Sequence, residues 1–141
     1  MTVTANKYYE TDKYGDKARQ RQRDRYTAIV FFMNFALANC DRIAIENPVG
    51  IMSSAYKKPT QIIQPYMFGD AFEKKTCLWL KGLPSLVPTN EVEPPPRVKF
   101  ESGNTMPEWY SKLWKLSREE RARERSKTFY GIADAMAEQW G

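Results

Sequence analysis

The sequence predicts an α/β fold in which a partial sheet is flanked by helices and followed by a helical C-terminal section. Three observations support this prediction. A helical pattern runs from about Asp16 to Asn39, a short apolar strand follows at Arg42–Glu46, and helical patterns return in the last third of the chain. A helix, a tight turn and a strand form the repeating unit of parallel α/β sheets. We therefore expect one domain over residues 1–141.

The composition is that of a folded chain without a membrane span. The 141 residues are 42% hydrophobic and 28% charged, which is typical of globular proteins. No stretch approaches the roughly 18 apolar residues that a transmembrane helix requires, and the N-terminus has no signal-peptide pattern. These features predict a cytoplasmic protein. The absence of histidine excludes histidine metal sites and any imidazole general base.

The first helix should have a basic half and an apolar half. Its apolar residues recur at three- and four-residue steps: Tyr26, Ile29, Val30, Met33 and Leu37. Four arginines precede them at alternate positions: Arg19, Arg21, Arg23 and Arg25. This basic stretch is suited to phosphate contact, and a solvated helix surface explains it equally well. The net charge of +5 permits contact with nucleic acid and argues against a DNA mimic.

The middle of the chain is predicted to be rich in loops. Gln61–Gln64 and Thr76–Leu80 are the strand candidates. Proline, glutamate and asparagine accumulate over residues 85–107, with Pro94–Pro96 at the centre. This composition predicts an extended surface loop inside the domain.

The C-terminal section is predicted to be helical. Glu108–Trp114 has apolar residues at helical spacing, and Ser117–Glu120 has the capping-box pattern that begins a helix. The stretch Arg118–Lys127 alternates in charge at helical spacing, which favours a solvated helix face over nucleic-acid contact. One face of a last amphipathic helix is formed by Phe129, Ile132, Ala133, Met136 and Trp140.

Four segments resemble one protein family and occur in the same order. They are Arg42–Gly50, Gln61–Gly69, Lys75–Pro84 and Arg125–Trp140. Together they resemble the phage- and prophage-encoded cytosine-5 DNA methyltransferase-like proteins, and they correspond to the C-terminal half of such a protein. The resemblance implies a partial methyltransferase-like sheet of Rossmann type, in the cytoplasm of a bacterial host.

The resemblance also implies roles for individual residues. In that family, a strand ending in Glu-Asn presents a carboxylic acid to an extruded cytosine, which prepares the ring for thiolate attack. Glu46 would hold the base, Asn47 would brace the loop, and Pro48 would stiffen the turn. Lys74 and Lys75 would lie near the target base or its phosphate, or would simply be solvated. Without the resemblance, an ordinary turn after a strand explains the Glu-Asn-Pro sequence.

The chain departs from the family in the parts that perform the reaction. Such enzymes have a Pro-Cys loop whose thiolate attacks the base, and a glycine-rich βα turn that binds S-adenosylmethionine. Neither Cys40 nor Cys77 is preceded by proline, and both are interpreted as buried free thiols. The segment Thr2–Tyr9 resembles the residues that follow the Pro-Cys loop. The half that carries cofactor site and nucleophile is therefore expected to be missing.

Three functions are compatible with these features. The first is a methyltransferase-like half-domain that binds no cofactor by itself and acts on duplex DNA only when a partner polypeptide completes it with an S-adenosylmethionine site. The second is a stand-alone, non-catalytic phage protein that binds and inhibits a host defence nuclease of restriction or CRISPR type. The third is a degenerate remnant. A partner protein or a homo-oligomer is expected to cover an exposed sheet edge and apolar surface.

Overall fold

The structure is a computed structural model that describes residues 8–141. Most of the Thr2–Tyr9 segment therefore lies outside the described residues. Helices and short antiparallel sheets make up the described part, which confirms a mixed α and β architecture. In chain order, the elements are α1 (Thr11–Ala36), β1 (Ile43–Pro48), α2 (Met52–Ala55), β2 (Gln61–Ile63), β3 (Thr76–Lys81), β4 (Arg97–Lys99), β5 (Thr105–Pro107), α3 (Glu108–Lys112), α4 (Arg118–Arg125) and α5 (Tyr130–Trp140).

The chain divides into two compact units, and neither is continuous in sequence. Among the described residues, unit 1 combines 8–63 with 75–85, and unit 2 combines 64–74 with 86–141. The segment between β2 and β3 thus belongs to a different unit from the strands it connects. The single domain expected over residues 1–141 stays a prediction, because compact units can also be parts of one domain.

The sheet of unit 1 has three strands in the order β1-β3-β2, and both neighbouring pairs are antiparallel. The prediction of parallel neighbouring strands is therefore wrong for this sheet. Adjacent parallel strands need a long crossover, usually a helix. The long helix α1 precedes β1, however, and only the one-turn helix α2 lies between β1 and β2. β1 and β2 do run in the same direction, with β3 between them.

One face of this sheet is covered by α1. Phe32 of the helix, Cys77 and Trp79 of β3, and Met52 form a buried cluster. The Phe32 ring meets the Trp79 ring edge to face, with 5.1 Å between the centroids. Ile45 of β1 packs against the same cluster. Because successive side chains of a strand point to opposite faces, the neighbouring residues of β1 and β3 face away from α1.

The bounds of α1 differ a little from the expected ones. Gly15 is non-helical, with φ 52° and ψ −129°, so the regular helix begins at Asp16 as predicted. It ends at Ala36, three residues before the predicted end. The predicted apolar stripe is only partly buried, because Tyr26 and Leu37 are 70% and 72% exposed.

Unit 2 is organised around the segment 64–74. The Phe72 ring packs against the rings of Trp109 and Phe129, with centroid distances of 4.4 Å and 5.1 Å. The indole N–H of Trp109 donates to the backbone oxygen of Glu73 at 3.1 Å. These contacts join a segment near the middle of the chain to helices near its end.

The start of α5 approaches the same segment very closely. A Cβ atom added at Gly131 would lie 1.8 Å from the backbone oxygen of Phe68, so a side chain cannot be accommodated there without a shift. The Gly131 N–H also donates to the Asp70 carboxylate at 3.3 Å. The glycine is therefore explained by this close approach, which no local pattern in the sequence indicates.

The C-terminal helices largely agree with the prediction. The capping box before α4 is confirmed, since Ser117 and Glu120 each bond to the other's backbone N–H. The expected last helix is present as α5, but the buried residue nearest its centre is Ala135, whereas Ala133 is exposed. The buried face is thus rotated relative to the predicted one.

The region 85–107 is only partly an irregular loop. Leu86 is buried, and Gln139 of α5 exchanges two hydrogen bonds with the backbone of Val87, at 2.8 Å and 2.9 Å. Strands β4 and β5 also lie in this region and pair antiparallel with each other. Arg97 of β4 forms an ion pair with Glu73 and donates to the Thr105 hydroxyl at 3.0 Å.

Candidate functional site

The Glu-Asn-Pro sequence lies at the end of an edge strand. β1 includes all three residues, and its register places Glu46 opposite Leu78, Asn47 opposite Cys77, and Pro48 opposite Thr76 of β3. Glu46 is exposed, whereas Asn47 and Pro48 are half-buried. The carboxylate of Glu46 is therefore accessible from solvent, as a group that contacts a ligand must be.

Glu46 belongs to the sheet face that does not contact α1. Its neighbour Ile45 packs into the core cluster under α1, so Glu46 points to the other side. Leu78, on the same face, is fully buried, and Gln61 of β2 lies beyond it in the same row. The carboxylate of Glu46 is thus open to a ligand, whereas the leucine beside it is enclosed by protein.

Cys77 lacks the environment of a nucleophile. Cys77 is 1% exposed, and burial, with a smaller contribution from the negative charge of Glu46, raises the pKa of its thiol. A buried thiol that keeps its proton is unreactive. Cys40 is exposed and donates to the backbone oxygen of Arg42 at 3.2 Å, so the expected burial is confirmed for Cys77 and wrong for Cys40.

Helix α1 does not hold its four arginines in one row. Residues two apart on an α-helix are separated by about 200° around its axis, so alternate arginines lie on opposite sides. On one side, Arg19 forms an ion pair with Asp16 at 3.3 Å, and Arg23 donates to the Gln20 side chain at 2.7 Å. Both arginines are exposed.

On the other side, the arginines stack on tyrosines that precede the helix. The guanidinium of Arg21 lies 5.1 Å from the ring centroid of Tyr8, and that of Arg25 lies 4.6 Å from that of Tyr9. These cation–π contacts hold the N-terminal residues against α1. Phosphate binding by the four arginines stays a prediction, and it would involve two separate sides of the helix.

The two predicted lysines differ in their surroundings. The ammonium of Lys74 donates to the backbone oxygen of Lys127 at 3.3 Å and lies 5.4 Å from the ring centroid of Phe129. Lys74 is therefore engaged within unit 2. Lys75 is exposed, one residue before β3. The structure thus gives only Lys75 the solvent access that a phosphate contact needs.

Unit 1 also exposes apolar side chains on α1, which we call the α1 apolar surface. Tyr26 and Val30 share one flank of the helix, Phe31 and Phe35 share another, and Leu37 follows its end. The rings of Phe31 and Phe35 pack edge to face at 5.0 Å, and Phe31 is 64% exposed. Clustered apolar exposure of this kind is typical of a surface that binds another molecule.

A groove of about 130 Å³ lies near the C-terminal end of α1. Ile43, Ile45, Tyr56 and Trp79 contribute to its walls. The indole N–H of Trp79 is already satisfied by the backbone oxygen of Lys57 at 2.8 Å. The groove can therefore accept an apolar group of the size of one side chain, and it is small for a nucleotide cofactor.

Unit 2 contains a second cluster of exposed side chains, which the sequence patterns did not indicate. Trp114 is 68% exposed and lines a small depression together with Tyr110, Leu113, Arg121 and Arg125. The alternating charges of α4 pointed to a solvated helix and gave no sign that two of its arginines lie beside an exposed tryptophan. The only available signal was the aromatic content of the segment just before the capping box.

The described residues contain neither an evident metal site nor a membrane-spanning helix. Within residues 8–141, no group of three His, Cys, Asp or Glu side chains is arranged to hold a metal ion. None of the helices in that range combines the length and the apolar composition needed to cross a membrane.

Comparisons with protein-family models, with curated proteins and with solved structures give no significant match to this chain. Membership of the cytosine-5 methyltransferase-like family therefore stays a prediction from the four segments. The roles that it implies for Glu46, Asn47 and Pro48 stay predictions.

Proposed function

We propose that this chain is a phage-derived cytosine-5 DNA methyltransferase-like half-domain that acts only with a complementary polypeptide. The observation that carries the proposal is the position of Glu46. Its carboxylate is exposed near the end of β1, and β1 is an edge strand of its sheet. The carboxylate that we propose to bind the base and a strand edge available for pairing thus occur in the same strand.

The strand edge supports the need for a partner. An edge strand presents unpaired backbone N–H and C=O groups that another strand can bind. Large sheets of the α/β class often carry an antiparallel strand at one side of otherwise parallel strands. In the proposed complex, the antiparallel strand β3 would lie one strand in from the side, between β1 and β2, and the partner's parallel strands would continue the sheet beyond β1. The complete sheet would then be of Rossmann type.

The α1 apolar surface supports the same proposal. Its aromatic and aliphatic side chains are exposed in the isolated chain. Full burial of an exposed Val, Leu or Phe side chain contributes roughly 1.5–3 kcal/mol, and these partly exposed side chains would contribute a fraction of that. A complementary polypeptide that bound to the edge of β1 would also be well placed to cover part of α1, since α1 packs on the sheet beside β1.

The chemistry divides between the two proposed polypeptides. Glu46 would hydrogen-bond the ring nitrogen of an extruded cytosine and so make carbon 6 more electrophilic. The raised pKa of Cys77 keeps its thiol protonated, so the attacking thiolate would come from the partner's Pro-Cys loop. S-adenosylmethionine would be bound by the partner. Exposed cations of this chain, Lys75 among them, would contact the phosphates of duplex DNA.

The test compares the chain alone with the chain plus a polypeptide that carries a Pro-Cys loop and a glycine-rich turn. We expect the isolated chain to bind no S-adenosylmethionine in a calorimetric titration. The mixture should transfer labelled methyl groups to duplex DNA, and Glu46→Ala should abolish the transfer. Glu101→Ala, which removes an exposed carboxylate in unit 2, is the matched control and should retain full activity. Cofactor binding by the isolated chain, or unchanged transfer with Glu46→Ala, would refute the proposal.

The exposed aromatic residues of α1 favour one alternative, a stand-alone inhibitor of a host defence nuclease. In that case the isolated chain would inhibit a restriction or CRISPR nuclease, and Phe31→Glu would remove the inhibition. Glu46→Ala would leave inhibition unchanged, because the base-binding acid has no part in it. The two single substitutions therefore distinguish the two functions.

A further inference from the structure

The exposed indole of Trp114 is the feature of unit 2 that its packing does not explain. Trp114 lies in a single 3₁₀ turn, Leu113–Lys115, directly after α3. Leu113 of this turn is 4% exposed, so the turn is anchored by one side chain while its neighbour remains in solvent. Single exposed apolar residues are common at protein surfaces, so the surroundings of Trp114 must decide whether it has a role.

Two arginines are held beside this indole. Arg121 donates to the backbone oxygen of Leu116 at 3.1 Å, and its Nε atom is buried without a hydrogen-bond acceptor. The guanidinium of Arg125 lies 5.0 Å from the ring centroid of Tyr110 and also bonds its hydroxyl. Because both guanidinium groups are already positioned, an anion that binds them need not order two flexible side chains.

The surrounding charge is positive. Residues 108–127 contain seven lysines and arginines and four glutamates. Three of the glutamates are engaged locally: Glu108 with Lys112 at 3.0 Å, Glu124 with Lys127 at 2.5 Å, and Glu120 in the capping box. Other exposed cations of this segment include Lys115 and Arg118. The depression beside the indole is thus lined by two arginines together with Tyr110 and Leu113, in a segment of net positive charge.

We propose that Trp114, Arg121 and Arg125 form a binding site for single-stranded nucleic acid. An unpaired base stacks on the exposed indole, and the adjacent phosphates contact the two arginines. This combination of an aromatic platform and fixed cations is how proteins bind single strands without sequence preference. A duplex would bind less well, because its bases are stacked on each other and are inaccessible to the indole.

The charged surroundings favour a nucleic acid over a protein partner. The central part of a protein–protein interface is depleted in lysine and glutamate, whereas Trp114 has Lys112 and Lys115 as close neighbours in sequence and α4 beside it. The proposal does not depend on the methyltransferase-like function, because it uses a different ligand form and residues of unit 2 only.

The test is fluorescence anisotropy of a labelled 20-nucleotide thymidine strand, titrated with the full chain and its variants. Trp114→Ala should weaken binding roughly tenfold or more, since a stacked base contributes strongly to affinity. Trp114→Phe, which keeps a stacking ring, should restore most of it. Arg125→Gln should make the dependence of log K on log salt shallower by about 0.7. The matched control is Tyr130→Ala, which removes a 78% exposed ring of the same unit from outside the depression.

Each result either supports or overturns the proposal. Circular dichroism of Trp114→Ala should match that of the wild type, since the side chain is exposed. No binding of the single strand, equal binding by Trp114→Ala, or an equal loss in Tyr130→Ala would overturn it. The proposal would also be overturned if duplex DNA or polyglutamate displaced the labelled strand as well as the unlabelled single strand does. None of these outcomes bears on methyl transfer, which is measured with the complementary polypeptide.

Discussion

Burial decides the chemistry of Cys77. The thiol is enclosed between β3 and α1, and both burial and the nearby carboxylate of Glu46 raise its pKa. The environment of Cys77 thus confirms its interpretation from sequence as a buried free thiol. Because its thiol is buried and keeps its proton, Cys77 is not a candidate for covalent catalysis.

The raised pKa of Cys77 predicts a loss of stability at high pH. The folded state keeps the thiol proton at pH values where the unfolded state has released it. The free energy of unfolding should therefore be unaffected below the ordinary pKa of 9.0 and should fall as pH rises above it, by at most about 1.4 kcal/mol per pH unit. Urea denaturation between pH 7 and pH 10 measures this slope. Cys77→Ala should reduce the slope, whereas Cys40→Ala should not; equal slopes in all three proteins would contradict the argument.

The position of Glu46 could be predicted from sequence, because it depends on a pattern of neighbouring residues. The Glu-Asn-Pro sequence follows an apolar run, which indicates a strand end, and Glu46 is indeed near the end of β1. The surroundings of Lys74 could not be predicted. Its partners, Lys127 and Phe129, lie more than fifty positions further along the chain, and no local pattern encodes such a contact.

Among the elements, α4 illustrates how a short pattern can specify a helix start. Ser117 accepts from the N–H of Glu120, and the Glu120 carboxylate accepts from the N–H of Ser117 at 3.0 Å. These hydrogen bonds lower the pKa of Glu120. Their contribution is therefore present above the ordinary carboxyl pKa and is lost as pH falls through the lowered value.

Removal of this cap should loosen the first turn of α4. Ser117→Ala should destabilise unit 2 by about 1 kcal/mol, because the first backbone N–H groups of the helix lose their acceptor. Hydrogen exchange of the Glu120 amide should become faster. Ser126→Ala removes a hydroxyl at the other end of α4 and should leave that amide unchanged. Unaltered exchange in Ser117→Ala would show that the cap is not formed in solution.

Strand positions were easier to predict than strand directions. All three strands of unit 1 were expected within about two residues of their observed bounds. The alternation and apolar content of a strand describe its faces, but they do not encode which strand lies next to it. Consequently the antiparallel pairing of β3 with both β1 and β2 could not be read from the residues.

In the whole molecule, the chain crosses repeatedly between the two units. Residues 64–74 leave unit 1 after β2, contribute to unit 2, and return at β3. Phe72 packs on Trp109 and Phe129, and Asp70 bonds the first turn of α5. The C-terminal helices thus depend on a segment that precedes them by a third of the chain.

A fragment of residues 86–141 should therefore fail to fold. Without residues 64–74, the rings of Trp109 and Phe129 lose the contact with Phe72, and Gly131 loses its acceptor on Asp70. We expect low helicity by circular dichroism and little amide dispersion by NMR. Joining residues 64–74 to the fragment through a glycine-serine linker should restore both signals. A fragment that is fully helical without that segment would contradict this dependence.

The same segment has a consequence during synthesis on the ribosome. Asp70 emerges 61 residues before Gly131, its hydrogen-bond partner. At roughly 5–20 residues per second, the aromatic residues of this segment wait about 3–12 s for the helices that cover them. During that time the adjacent lysines, Lys74 and Lys75, supply the charge that discourages association of nascent chains. We therefore expect the two cations next to β3 to lower the aggregation of the unfinished protein, whatever they bind once it is complete.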